Sequence, residues 1–158
     1  MDIKNILWPT DFSEAASAAE SYVISISRKY GAEVHLLHVA EDLTQFEHYW
    51  GSGPDPKHLH ELQESIMRVA RERLKELCRN KLAECPRYQI HSLLGDPAKE
   101  ILETAQAIGA DLIVMATHGM KSNFPFGSVA EKVVKNSPVP VLTVSPELQR
   151  KILEKTTG

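Results

Sequence analysis

The residues best suited to holding an anion lie in one stretch, His118-Gly119-Met120-Lys121-Ser122-Asn123-Phe124-Pro125-Phe126-Gly127-Ser128. It follows the apolar run Leu112-Ile113-Val114-Met115-Ala116-Thr117 and precedes a second one, Val129-Ala130-Glu131-Lys132-Val133-Val134. A buried strand thus ends in a loop bounded by glycines, and the loop opens a helix. At that helix start Gly127-Ser128 present backbone N–H groups with no partner inside the helix, where a phosphate can dock. Ser128 and Glu131 also spell Ser-x-x-Glu, a capping box in which Ser128 caps the helix and Gly127 only permits the turn. The pattern alone leaves both roles open.

Asp11 is the second polar residue of note, in Trp8-Pro9-Thr10-Asp11-Phe12-Ser13-Glu14. Its carboxylate can accept hydrogen bonds from a ribose or a base. Asp11 and Glu14 also have cap-plus-three spacing, and an Asx-turn would serve the following helix equally well. His118 titrates near neutral pH as a free side chain, yet no nucleophile or carboxylate is spaced with it as a triad. It reads as a hydrogen-bonded loop histidine, and no catalytic set is assigned. His35 and His38 are an odd number apart on a strand and point to opposite faces, which argues against a shared metal. His58 and His60 stand about 200° apart on a helix and read as solvated. Cys78 and Cys85 match neither a redox nor a zinc spacing and read as reduced thiols on a helix and its exit. Neither a Gly-x-x-x-x-Gly-Lys-Ser/Thr loop nor a Gly-x-Gly-x-x-Gly fingerprint follows the first strand, against P-loop hydrolases and dinucleotide dehydrogenases.

Elements that position these residues alternate along the chain. Ile3–Pro9 reads as a strand around Ile6-Leu7-Trp8. Ser13–Tyr30 reads as one amphipathic helix with Ala15, Ala19, Tyr22, Val23 and Ile26 on its apolar side, stopped by Gly31. Val34–Val39 is the second strand. A long connection, Glu41–Pro56, carries Phe46, Tyr49 and Trp50. The longest helix runs from about Lys57 to Leu82 with Leu59, Leu62, Ile66, Val69, Arg73 and Leu77 near one stripe, Arg73 packing its stem and exposing its head. Tyr88–Leu94 is a third strand. Asp96-Pro97 caps a helix over Ala98–Ile108. Leu112–Ala116, Ser128–Ser137 and Val139–Val144 complete the series as strand, helix and strand. The polar tail from Pro146 to Gly158 reads as a short, loosely attached helix.

This alternation, with nearly continuous apolar strands, predicts a parallel sheet covered by helices on both faces. Right-handed crossovers favour five strands in the order 3-2-1-4-5. Strands one and four then meet at the switch point, and Thr10-Asp11 and Thr117-His118-Gly119 share one crevice. The 158 residues suit one compact domain, with 42% hydrophobic and 25% charged residues. A net charge of −3 gives no electrostatic case for nucleic acid. No apolar run approaches the roughly 20 residues needed to span a bilayer, so no membrane partner is expected. The first residues lack signal-peptide character, which points to the cytoplasm.

With these motifs in place, the chain resembles the universal stress protein family over residues 2 to 146. The resemblance rests on Asn5-Ile6-Leu7-Trp8-Pro9-Thr10-Asp11-Phe12-Ser13, His38-Val39-Ala40 and Gly95-Asp96-Pro97. It rests above all on Gly127-Ser128-Val129-Ala130-Glu131-Lys132-Val133-Val134 with Pro138-Val139-Pro140-Val141-Leu142-Thr143-Val144. It implies an adenine-nucleotide alpha-hydrolase-like α/β domain over residues 1–146 with a polar tail over 147–158. It also implies adenine and ribose contacts near Asp11, Val39 and Ala116, phosphate contacts near Gly119, Gly127, Ser128 and Val129, and nucleotide contacts at Thr10 and His118. The ligand implied is ATP or AMP, with magnesium accompanying ATP.

The family's ATP-binding pattern has Gly, two residues, Gly, nine residues, Gly and then Ser or Thr. In this chain Ala116 stands at the first glycine, and seven residues, Met120 to Phe126, separate Gly119 from Gly127. Two residues span about 7 Å of extended chain, and Pro125 removes a further donor. The Phe124–Phe126 cluster can instead pack into the crevice, and AMP would need less of the altered loop than ATP. The resemblance further implies a homodimer through Val139–Val144, an apolar edge on which proline is tolerated. Glu41–Pro56 is long enough to act as a lid over the adenine, or else is a loop packed on its own helix. The expected function is a nucleotide-responsive stress regulatory module. A dimeric scaffold without nucleotide is the alternative, and slow ATP hydrolysis lacks an identifiable base.

Overall fold

The structure is a computed structural model that describes residues 1–45, 55–119 and 126–157. Five strands, β1 (Asn5–Pro9), β2 (Glu33–Ala40), β3 (Arg87–Leu94), β4 (Leu112–Ala116) and β5 (Val141–Val144), form one sheet in the order β3-β2-β1-β4-β5. Every pairing is parallel, as expected from the alternation. The helices are α1 (Glu14–Ser17), α2 (Glu20–Tyr30), α3 (Pro56–Lys81), α4 (Pro97–Ala107), α5 (Ser128–Asn136) and α6 (Pro146–Thr157). None of the described helices is long and apolar enough to cross a membrane.

The period-two alternation of the strands sorts the core into two layers. Ile6, Trp8, Val34, Leu36, Leu112 and Val114 join Val23 of α2 and Leu74 and Cys78 of α3. Leu7, Leu37, Ile113 and Met115 join Ala98, Ile101 and Ala105 of α4 and Ala130 and Val133 of α5. Helices thus cover both faces, and β1 is buried along Ile6–Trp8.

Four local expectations need correction. The single helix over Ser13–Tyr30 is two helices, because Ala18 N bonds Ala15 O and Ala19 N bonds Ala16 O in a tighter turn. Ala16, Ala18 and Ala19 are buried, and no glycine or proline in the sequence marks the break. Tyr22 of the predicted apolar side is 40% exposed. On α3 the buried stripe is Leu59, Gln63, Ala70, Leu74 and Cys78, whereas Leu62 and Val69 are exposed at 50% and 55%. Gln63 belongs inside because its side-chain oxygen accepts from Leu43 N at 2.9 Å and docks the chain leaving β2. β5 begins at Val141 and not at Val139, because Ser137 Oγ engages both the N–H and the carbonyl of Val139. Pro140 offers only its carbonyl, which accepts from Ile113 N.

The remaining boundaries lie within a residue or two of their expected places. Gly31 ends α2 in the left-handed region at φ 66°, and Asp96 caps α4 by accepting from Lys99 N. The Glu41–Pro56 connection, read as a lid or a packed loop, lies largely outside the described residues, including Phe46, Tyr49 and Trp50.

Candidate functional site

The exit of β1 is built from local hydrogen bonds. Thr10 N donates to Leu37 O at 2.8 Å, which fixes the turn to β2. Thr10 Oγ1 accepts from Phe12 N at 3.1 Å. Asp11 Oδ1 accepts from Ser13 N at 3.0 Å and from Ser13 Oγ at 2.5 Å, an Asx-turn. Ser13 Oγ in turn accepts from Ala16 N and caps α1. The cap-plus-three spacing of Asp11 and Glu14 is therefore not used. Ser13 is the cap, and Asp11 holds it.

Phe12 has φ 62°, a conformation that bulky residues rarely adopt. Its ring lies 4.4 Å from the His38 ring, and the Arg73 guanidinium stands 4.5 Å from its centroid. His38 Nδ1 is 2.9 Å from Thr10 O; a carbonyl accepts, so Nδ1 carries the hydrogen. Packing from β2 and α3 thus sets the turn that carries Asp11.

The exit of β4 faces this turn. Thr117 N donates to Val144 O, and Gly127 N donates to Thr117 O at 2.7 Å, which closes the base of the loop. His118 Nδ1 is 3.2 Å from Thr117 Oγ1, the hydrogen-bonded role expected of this histidine. Asp11 packs its carboxylate directly on Gly119. A Cβ there would overlap Asp11 Oδ2 and lie 3.0 Å from its Cγ. A Cβ at Gly127 would lie 3.2 Å from His118 Cα. Both glycines bounding the loop are thus sites of close approach, not of unusual φ.

The capping box at α5 is not formed. Gly127 is the N-cap, with no side-chain cap bond, and Ser128 is the first helical residue with an exposed side chain. Glu131 turns away to Lys135 Nζ at 2.5 Å, and this contact lowers its carboxyl pKa. Gly127 thus supplies no side-chain cap to the N-terminal amides of α5, which lie at the partially positive end of the helix.

The structure brings Asp11, His118, Gly119 and Gly127 into one contact set, with Thr10 beneath it. Val39, next to last in β2, and Ala116, last in β4, lie at the ends of the strands flanking β1, and Val39 and Val129 pack partly on the α4–α5 layer. Residues 120–125 lie outside the described residues, so the contacts expected of Phe124 and Pro125 do too. Phe126 is 40% exposed. Sequence reasoning missed the supporting roles of Phe12 and His38; positive φ at a phenylalanine leaves no mark in composition or spacing. Among the described residues no group of three or more His, Cys, Asp or Glu could hold a metal. His58 and His60 are largely exposed beside Asp55 and Glu64, as solvated residues should be.

Residues 2–145 match the profile of the universal stress protein family. Universal stress protein MJ0531 of Methanocaldococcus jannaschii is 37% identical over 145 residues, covering 89% of this chain and 81% of that protein. Universal stress protein MJ0577 of the same organism is 33% identical over 153 residues, covering 89% of this chain and 94% of that protein. A solved structure of MJ0577 superposes with a TM-score of 0.79 at 29% identity, over 92% of this chain and 97% of that one. The fold recurs in a universal stress protein in complex with cAMP (20% identity, TM-score 0.61, 92% of this chain and 98% of that one). It recurs also in one from Archaeoglobus fulgidus in complex with dAMP (21% identity, TM-score 0.61, 90% of this chain and 98% of that one).

Proposed function

The chain belongs to the universal stress protein family, and we propose that it binds an adenine nucleotide, ATP or AMP, as a stress-response regulatory module. The observation that carries this reading is the seating of the Asp11 carboxylate on Gly119, near the amino end of α5, whose N-cap Gly127 has no side chain to cap it. Asp11 offers an acceptor for ribose hydroxyls. The α5 amides and the exposed Ser128 hydroxyl offer donors for a phosphate. Thr10, Val39 and Ala116 line the base and ribose side, while His118, Gly119, Gly127 and Val129 frame the phosphate side. Solved proteins of this fold carry cAMP and dAMP, which supports a nucleotide of this chemical class. With ATP, magnesium would arrive on the phosphates, which need few protein ligands.

Mass spectrometry of the heat-denatured, freshly purified protein tests the reading. It should release an adenine nucleotide, and Gly127→Val should lose it, since a branched side chain would crowd His118 Cα. Absence of any adenine nucleotide, together with no saturable AMP or ATP binding by the folded protein, overturns it.

A homodimer through β5 belongs to the same proposal. β5 lies at the end of the sheet order, so one of its edges has no partner strand among the described residues. A light-scattering mass of twice the chain supports this, and a monomer mass at working concentration refutes it. A cytoplasmic location fits the free, buried Cys78 and Cys85, the former with its thiol pKa pushed up to about 11 chiefly by burial.

A further inference from the structure

The turn that carries Asp11 is strained at its centre. Phe12 takes φ 62°, where a side chain crowds its own backbone, and such positions persist only when the surroundings fix them. Two local hydrogen bonds flank the strained residue. Phe12 N donates to Thr10 Oγ1, and Ser13 N donates to Asp11 Oδ1 across the phenylalanine. If Phe12 relaxed to negative φ, Ser13 would turn away from Asp11. The carboxylate would then lose the partner that holds Oδ1 while Oδ2 rests on Gly119. The Phe12 ring is therefore the handle by which the rest of the fold holds Asp11.

Two elements grip that ring. His38 of β2 stacks on it with ring centroids 4.4 Å apart, while its Nδ1 donates to Thr10 O. Arg73 of α3 places its guanidinium over the ring, 4.5 Å from the same centroid. An arginine on this side of α3 is expected to send its head into solvent. Arg73 is indeed exposed, yet its charge stands on the one aromatic face that governs the turn. We propose that Arg73 is a positioning residue for the nucleotide site: through the Phe12 ring it keeps the Asp11 carboxylate aimed at the ribose. This rests on the reading of Asp11 as the ribose acceptor and gives the phosphates no part in the role of Arg73.

Arg73→Met keeps an unbranched stem and removes the cation. It should raise the calorimetric midpoint for AMP about two- to fivefold, the factor an exposed cation–π contact supplies. Adenosine should lose the same factor, because the effect passes through the ribose acceptor. In a Phe12→Gly background, where glycine keeps positive φ without a ring, Arg73→Met should change neither midpoint further. Hydrogen exchange read by NMR without nucleotide supplies a local signature: the Ser13 amide should exchange faster in Arg73→Met, while amides of β1 and β2 keep the parental rate. The proposal is overturned if the Ser13 amide keeps its parental rate or if Arg73→Met acts equally in the Phe12→Gly background. A loss confined to AMP also overturns it, because that marks a direct phosphate contact. Failure of the parent to bind either ligand overturns the nucleotide reading itself, and the Ser13 amide then still decides whether Arg73 holds the turn.

Discussion

Gly119→Ala is the sharpest perturbation of the contact between the two strand exits. The added Cβ would overlap Asp11 Oδ2 and stand 3.0 Å from Asp11 Cγ, closer than ordinary carbon contacts. The carboxylate cannot swing aside freely, because Oδ1 accepts from both the N–H and the hydroxyl of Ser13, which caps α1. Hydrogen bonds to charged groups are worth about 1.5–3 kcal/mol each, and partial exposure of Asp11 lowers that. Displacing the carboxylate should therefore cost about 1–3 kcal/mol of stability, a fall of several degrees in Tm for a chain of this length. Urea denaturation of the four members of a Gly119→Ala and Asp11→Ala cycle separates this clash from any backbone effect. With the carboxylate gone, Gly119→Ala should cost less than about 0.5 kcal/mol. An equal cost in both backgrounds, or no cost in the parent, would refute the argument that Gly119 is glycine because Asp11 rests on it.

Other expectations follow from the same geometry. Ser13→Ala removes both the α1 cap and a donor to Asp11, and should cost about 1 kcal/mol or more in urea denaturation. Leu74→Ala should cost about 2–5 kcal/mol, whereas Leu62→Ala on the exposed side of α3 should cost under about 0.5, distinguishing the observed register from the expected stripe. His35 is buried with Nδ1 3.0 Å from His91 Nε2, and burial pushes both pKa values below the ordinary histidine value of about 6.5. His91 lowers His35 further, while Glu33 acts in the opposite sense. The unfolded chain thus binds more protons, so this contribution is present above about pH 6.5 and is lost as pH falls through the lowered values. Stability measured between pH 5 and 8 should rise with pH, and His35→Gln should flatten that slope; an unchanged slope would exclude the pair as its source.

The strand order was legible in the sequence because apolar runs and their alternation are properties of neighbours along the chain. The meeting of Thr10-Asp11 with Thr117-His118-Gly119 followed from that order alone. What stayed hidden depended on partners distant in sequence or on backbone shape. Nothing in Ala18-Ala19 announces a break, since alanine favours helix. Gln63 reads as surface until Leu43 is seen to donate to it. The Ser128–Glu131 spacing suggested a capping box, but Lys135 one turn later competes for the carboxylate and wins. Gly119 was visible as a glycine, yet its reason, a carboxylate more than a hundred residues away, was not. The short loop over Met120–Phe126 remains a statement about length, because 120–125 lie outside the described residues.

Calorimetric titration of AMP into the purified chain, in parallel with Gly119→Ala, tests the central claim most directly. One saturable site per chain, weakened about tenfold or more in the variant while both proteins remain folded, is the result this account predicts. Absence of saturable heat in the folded parent, or equal binding by parent and variant, would contradict it.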